Sequence, residues 1–219
     1  MKWTDQTRRG KRERGYHHGN LREALVAAAL QLIGERGPFG FSFVDAARWA
    51  GVSPAAPYRH FGDRDELMAE VARRGFERFA DALARAWDDG RPEPMTAFTR
   101  VGRAYLAFAR EDAASYAAMF EAGIALERHP ELLAASERAF AVLRQASEML
   151  AARLPQEARP PGLMMALHIW AMSHGIASLF GRGDAARRRL PMSAEDLLEA
   201  GVLVYLQGLG IGDTTGARP

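Results

Sequence analysis

At 219 residues, with no Cys and a net charge of only +2 from 29 Lys/Arg and 27 Asp/Glu, the chain is long enough for one or two small domains with a proper core. The absence of Cys excludes disulfides, zinc ribbons, thiol redox sensing and Cys nucleophiles. The charge is unevenly placed: residues 1–64 hold 11 Lys/Arg and 6 Asp/Glu, a net of +5, and residues 65–219 hold 18 and 21, a net of −3.

A basic end on a slightly acidic body suggests a nucleic-acid-facing part joined to a part with another task, although a solvated basic tail gives the same asymmetry. Ala is abundant, Val and Ile are sparse and strict alternation is absent, so an all-α fold of about nine helices is expected. The N-terminal stretch lacks the apolar centre of a signal peptide, and no apolar run approaches bilayer-spanning length. The expectation is a cytoplasmic protein with no membrane partner.

Residues 1–18, with Lys2, Arg8, Arg9, Lys11, Arg12 and Arg14, read as a flexible basic arm that either adds DNA contacts or solubilises. Asn20 with Glu23 forms a capping pattern that opens the first helix. Leu21, Leu25, Ala28, Leu32 and Ile33 give it one apolar stripe, and Gly37-Pro38 ends it. Ser42 with Asp45 repeats the pattern and opens a second helix, which Gly51 breaks. Ser53-Pro54 then reads as an N-cap and first-turn proline, giving a short third helix over about Pro54–His60, tightened by Pro57. Asp63 with Glu66 caps a long fourth helix. Two short helices around a Gly turn are the arrangement that places a helix N-terminus in a DNA major groove.

The chemistry of that segment fits the geometry. Ala55 and Ala56 can pack on a thymine methyl, Arg59 can bond guanine O6 and N7, and Tyr58 and His60 can donate to phosphate. The candidate DNA-contact set is Val44, Arg48, Ser53, Pro54, Ala55, Ala56, Tyr58, Arg59, His60 and Arg64. Ala47, Val52, Phe61 and Leu67 read as the small core setting the interhelical angle, and Trp49 suits either core or surface. The expected domains are a helix-turn-helix unit at 19–64, a helical body at 65–208 and a flexible tail at 209–219.

In the body, a loop at residues 88–94 precedes further helices. These carry Phe98, Val101, Tyr105 and Phe108; then Tyr116, Met119 and Phe120; then a seam of Leu133, Phe140, Leu143, Leu150 and Leu154. Two more are expected over Gly162–Phe180 and Ser193–Gln207, flanking a basic loop with Arg187-Arg188-Arg189. Phe98, Tyr105, Phe108, Tyr116, Met119, Phe120, Met164, Met165 and His168 are candidates for contact with a bulky apolar or aromatic small molecule, although each also suits an ordinary helical core. Ala171, Gly175 and Ser178, with Leu198, Val202 and Tyr205, suit close helix–helix pairing between two copies. His168 and His174 are six residues apart and diverge on a helix. There is no HExxH, no Glu-x-x-His set and no phosphate loop, so no metal, cofactor or catalytic residue is expected, and the chain is not read as an enzyme.

Ala46-Ala47, Ala50-Gly51-Val52-Ser53, Tyr58, His60-Phe61, Arg64 and Leu67, with the Tyr16-to-Arg22 entry, resemble the DNA-binding domain of the tetracycline-repressor (TetR) family of bacterial transcription regulators. Ala104–Phe120 and Ile169–Leu179 resemble the branch with a C-terminal Trp–His-Gly signature, here Trp170, His174 and Gly175. Pro57, Ala55 and Arg64 depart from residues common in the family, so base preference does not transfer. The resemblance implies an all-helical homodimer, with a three-helix DNA-binding domain and a ligand-sensing domain. It implies a repressor released from a palindromic operator by a small molecule. A constitutive DNA-binding regulator, or a catalytic or lipid-carrying bundle, remain the alternatives.

Overall fold

The computed structural model describes residues 21–181 and 190–211. The basic arm, the Asn20 cap, the Arg187-Arg188-Arg189 run and residues 212–219 lie outside them. The described residues form α1 (Leu21–Arg36), α2 (Phe43–Trp49), a 3-10 turn (Ala56–Arg59), α3 (Arg64–Trp87), α4 (Pro94–Glu111), α5 (Ala113–Phe120), α6 (Pro130–Ala151), α7 (Gly162–Gly181) and α8 (Ala194–Gly208), and contain no strand.

The head comprises α1, α2, the 3-10 turn and the start of α3. Its local signals act as the sequence predicts at α2. The Asp45 N–H donates to Ser42 Oγ (3.2 Å) and the Ser42 N–H to Asp45 Oδ2 (2.9 Å), satisfying two donors that a helix start leaves free. Gly51 stops α2 at φ +73, a left-handed conformation that costs glycine little. The chain then turns back so that the Val52 N–H reaches the Ala47 carbonyl (3.0 Å). At α3, Asp63 accepts from the Glu66 N–H (2.9 Å), while the Glu66 carboxylate reaches past it to the Gly62 N–H (2.7 Å).

The third helix differs from expectation. It is a four-residue 3-10 turn whose N-cap is Ala55, with no side-chain bond from Ser53. Pro54 and Pro57 carry no N–H, so neither can donate an i→i−4 bond, and the Ala56 N–H instead closes a tighter loop onto the Ser53 carbonyl (3.0 Å).

α3 runs without a break through the expected boundary at residue 64. Its first turns close the head with Leu67, Met68 and Val71, and its remainder builds the body with Phe76, Phe79 and Leu83, all buried. α6 runs along it. The buried stripe of α6 is Leu132, Ala135, Ala139, Leu143, Ala146 and Leu150, one residue away from the expected Leu133 and Phe140, which are half-buried. Alanines face α3 because close helix packing selects small side chains. Gly75 plays the same part against α5: a Cβ there would lie 2.8 Å from Met119 Sδ and 3.3 Å from Ser115 Cβ.

α7 contradicts the expectation that no apolar run approaches bilayer length. It has 20 residues, a mean hydropathy of 1.4 and only 28% of that window buried. No Asp, Glu, Lys or Arg interrupts it. Long, apolar and only partly buried, it packs with α8 and leaves Leu163, Met164 and Leu167 on the surface, as α8 leaves Leu203 and Val204. Ile211 is buried, its N–H bonded to the Leu206 carbonyl (2.9 Å), capping α8.

One buried carboxylate ties head to body. Glu70 of α3 is 6% exposed and accepts from Arg22 of α1 (2.5 Å), from Arg73 (2.9 and 3.0 Å) and from Arg74 (2.7 Å). Arg74 also grips Glu23 of α1, and Arg73 bonds Glu77 (2.6 Å) and approaches Glu131 of α6 (3.9 Å). Burial alone would raise the Glu70 pKa, but the guanidiniums of Arg73, Arg22 and Arg74 outweigh it and hold the group at about 2, below its ordinary 4.5. A depressed carboxylate pKa stabilises the fold above the unfolded pKa, and that stability is lost as pH falls from about 4.5 to about 2. Glu70→Gln leaves three cations without their shared anion and should cost about 3–5 kcal/mol at pH 7. In urea denaturation the gap to wild type should narrow steadily below about pH 4.5; a gap of equal size at about pH 3 and pH 7 contradicts this account.

Candidate nucleic-acid interface and apolar cavities

Among the described residues, α2 and the 3-10 turn carry a cluster of exposed side chains, of which His60 also lines a groove shared with Glu70 of α3 and Glu131 of α6. Val44, Arg48 and Trp49 of α2 stand exposed beside Ser53, Pro54, Ala55, Tyr58, Arg59 and His60, while Ala56 is half-buried. Beneath them Ala46, Ala47, Pro57, Phe61 and Leu67 are buried and Val52 is half-buried, so a small apolar core fixes the exposed face. The Phe43 ring meets Tyr58 edge-on at 5.1 Å. That contact holds the Tyr58 ring while 61% of the residue, including its route to a phosphate, stays open. Trp49, for which the sequence allows either core or surface, is 50% exposed. Arg48 pairs with Asp45 at 3.2 Å with its side chain 77% exposed, a weak pair that leaves the guanidinium free to swing.

Arg64 stands apart from the other candidates. Its Nε donates to the Phe41 carbonyl (3.0 Å), a second guanidinium nitrogen donates to the Pro38 carbonyl, and the group lies 4.8 Å from the Phe41 ring centre. The side chain ties the α1–α2 loop to α3 and turns inward. The sequence shows only a cation beside a helix start; the carbonyls that claim it lie 23 and 26 residues earlier.

In the body, Phe76 and Phe79 of α3, Met119 and Phe120 of α5, Phe140 of α6 and Trp170 of α7 line a cavity of about 310 Å³, bordered by Ile124 and Leu126 of the α5–α6 connection. A chain of polar groups runs beside it. The Trp170 indole N–H donates to Tyr105 Oη (3.1 Å), Tyr105 Oη lies 3.4 Å from Tyr116 Oη, and Tyr116 Oη lies 2.7 Å from His174 Nδ1. Burial pushes the Tyr105 pKa up to about 12 and raises that of Tyr116 as well, so both phenols keep their protons. The His174 ring ends the chain. Nothing in the sequence signals that these groups meet, because 58 and 69 residues separate His174 from Tyr116 and Tyr105.

The remaining candidates disperse. Met119 and Phe120 line this cavity, and Phe98 and Tyr105 line a second one between α4 and α8. Phe108 packs on Phe79 at 5.0 Å. Met165 is buried, Met164 is exposed, and His168 is exposed and bonded to Tyr205 (3.0 Å); none of the three lines either cavity. Among the described residues no group of three or more His, Asp or Glu could hold a metal ion.

Of the pairing candidates, Ala171 and Gly175 are exposed and Ser178 is half-buried on α7. A Cβ at Gly175 would meet nothing within 4 Å. Leu198 is 3% exposed and points into its own subunit, while Val202 and Tyr205 are half-buried. The sequence reading missed Leu163 and Leu167, which with Ala171 and Gly175 make an exposed row at four-residue spacing along α7. It also missed Leu203 and Val204. The spacing is readable, but without the packing nothing says which apolar face of an all-apolar helix is outward.

Known proteins share this architecture. Residues 25–71 match the family described as bacterial regulatory proteins, tetR family, and residues 98–205 match the tetracyclin repressor-like C-terminal domain. The HTH-type transcriptional regulator BetI of Rhizobium meliloti is 35% identical over 101 residues, which are 45% of this chain and 50% of that one. The chain thus spans about half the length of the curated relatives it matches. A protein of unknown function from Rhodococcus sp. RHA1 superposes with a TM-score of 0.71 at 29% identity, over 90% of this chain and 98% of that one. PfmR, a TetR family transcriptional regulator from Thermus thermophilus, shares the fold at a TM-score of 0.61 and 23% identity, over 84% and 97% of the two chains. With both halves of the family's architecture matched in order, this chain belongs to the tetracycline-repressor (TetR) family of bacterial regulators.

Proposed function

We propose that this protein is a DNA-binding transcriptional repressor, working as a homodimer in the bacterial cytoplasm and released from a palindromic operator by an apolar or aromatic small molecule. The observation that carries the reading is the exposed cluster of the head, where Arg48, Tyr58 and Arg59 stand out over an apolar base and His60 follows at the groove shared with α6. The names of the relatives, transcriptional regulators, agree with it. On this face Arg59 is the side chain suited to bidentate base contact. Tyr58, His60 and Arg48 suit phosphate, and Ala55, Pro54 and the half-buried Ala56 suit methyl groups. Val44 and Ser53 lie at the flanks, and Arg64 acts from behind as a strut. With few base-reading donors, DNA shape and phosphate grip carry much of the affinity.

Pairing through α7 and α8 gives the exposed Leu163, Leu167, Leu203 and Val204 a partner. Exposed apolar rows of this extent on neighbouring helices mark an interaction surface, and a two-fold arrangement of identical heads matches a palindrome. The aromatic cavity is the sensing site of this proposal. Two of its walls, Phe76 and Phe79, belong to α3, and α1 packs on both α3 and α5. A ligand that prefers a wider cavity therefore shifts the helix on which the head is built, and changes the spacing of the two heads.

Arg59→Ala should relax preference at particular operator positions at a cost of about 1–3 kcal/mol, whereas Tyr58→Phe should weaken all sequences alike. Binding titrations against an operator and its single-base variants distinguish the two, and negligible effects of both contradict the placement of the face. Leu167→Asp with Leu203→Asp should yield monomers in sedimentation velocity, with operator affinity lost; an intact dimer contradicts pairing through α7 and α8.

A further inference from the structure

A second cavity, of about 200 Å³, lies between α4 and α8, on the opposite side of Leu143 from the aromatic one. Leu143 is 4% exposed and lines both. The inner wall is apolar: Phe98, Val101 and Leu106 of α4, Ile169 of α7, and Leu198 and Leu206 of α8, each buried. The few polar groups on the wall are already engaged. Thr99 Oγ1 donates to the Met95 carbonyl (3.2 Å), Ser173 Oγ to the Ile169 carbonyl (2.9 Å), and Tyr105 Oη receives the Trp170 N–H.

The rim is charged but closed upon itself. Arg103 of α4 bonds Glu199 of α8 (2.5 Å), and Arg110 bonds Glu195 (2.8 Å). Arg103 and Glu195 have side chains 61% and 33% exposed, and exposed pairs contribute little. They bridge α4 and α8 at the rim of the cavity. Behind these pairs the wall is mostly apolar, and burying an unmatched polar group against it is costly.

We propose that this cavity is a second ligand site, separate from the aromatic sensing cavity, and that it takes a neutral hydrophobic molecule of about one or two rings. Size supports the class: an apolar cavity of about 150 Å³ takes up benzene. The mostly apolar wall disfavours carboxylates, amines and sugars. Its position also matters. Leu203 lines the cavity and is half exposed on the outer face of α8, so the site lies just beneath the surface through which two copies would pair. Occupancy does not require DNA, and the site stands or falls independently of operator binding.

The test uses toluene as probe on the full chain without DNA, read by calorimetric titration and by the shift in melting temperature. Toluene should bind and raise the melting temperature, while benzylammonium and benzoate should not. Val202→Phe, which places a ring into the cavity from α8, should weaken toluene at this site by at least about tenfold. Toluene also suits the aromatic cavity, so wild type should titrate with two sites; Ser136→Phe, at the edge of the aromatic cavity, should remove that site and leave the α4–α8 site, whereas Val202→Phe should do the reverse. If Val202→Phe fails to fold, Leu198→Ala serves instead: it enlarges the cavity and should make naphthalene bind at least as well as toluene. Three results overturn the proposal: no binding up to the solubility limit of toluene, loss of all binding in Ser136→Phe but not in Val202→Phe, or equal binding of the charged analogues.

Discussion

The continuity of α3 from Arg64 to Trp87 is the constraint on which the head and the body both depend. A helix has no hinge where its hydrogen-bond ladder is intact, so whatever tilts one end of α3 tilts the other. The N-terminal turns carry Leu67, Met68 and Val71 into the head core, and the following turns carry Phe76 and Phe79 into the wall of the aromatic cavity. Gly75 brings α5 into close contact between these two regions, with Met119 against its missing side chain. The head core and the aromatic cavity are thus joined by a few turns of one helix rather than by a linker.

Glu70 sits at the point where this lever could slip. Its carboxylate draws Arg22 of α1 toward Arg73 and Arg74 of α3, and Arg22 lies 5.0 Å from the centre of the Phe61 ring, just after the 3-10 turn. One anion therefore links the first helix, the end of the reading turn and the long helix. A buried ion pair is a poor source of net stability compared with apolar packing, but it is a directional one. Its value here lies in fixing the angle at which the head leaves the body.

Much of the head is legible in the sequence because its signals are local. The Ser42–Asp45 capping box, the Gly51 break and the Asp63 cap each involve residues within four positions of one another, and the same holds for Ser193 with Asp196 at α8. The 3-10 turn is shorter than its sequence suggests because Pro57 removes the N–H that would bond the Ser53 carbonyl and disfavours α geometry at Ala56, whose N–H takes that carbonyl in a tighter loop. What the sequence hides is long-range. Arg64 is claimed by carbonyls of a distant loop, Leu198 turns into its own subunit, and Tyr105, Tyr116, Trp170 and His174 converge from three helices. The alanine seam of α6 is hidden for another reason. Hydrophobic periodicity weights large side chains, whereas close packing against α3 selects small ones.

The central claim is that two copies of the head face read DNA together. Selection of bound duplexes from a random library by the purified full-length chain, at several salt concentrations, tests it most directly. The account predicts an enriched inverted repeat with half-sites about one helical turn (~34 Å), or a multiple of it, apart, and an affinity that falls steeply with salt. Enrichment of no motif, or binding that ignores salt, would contradict it.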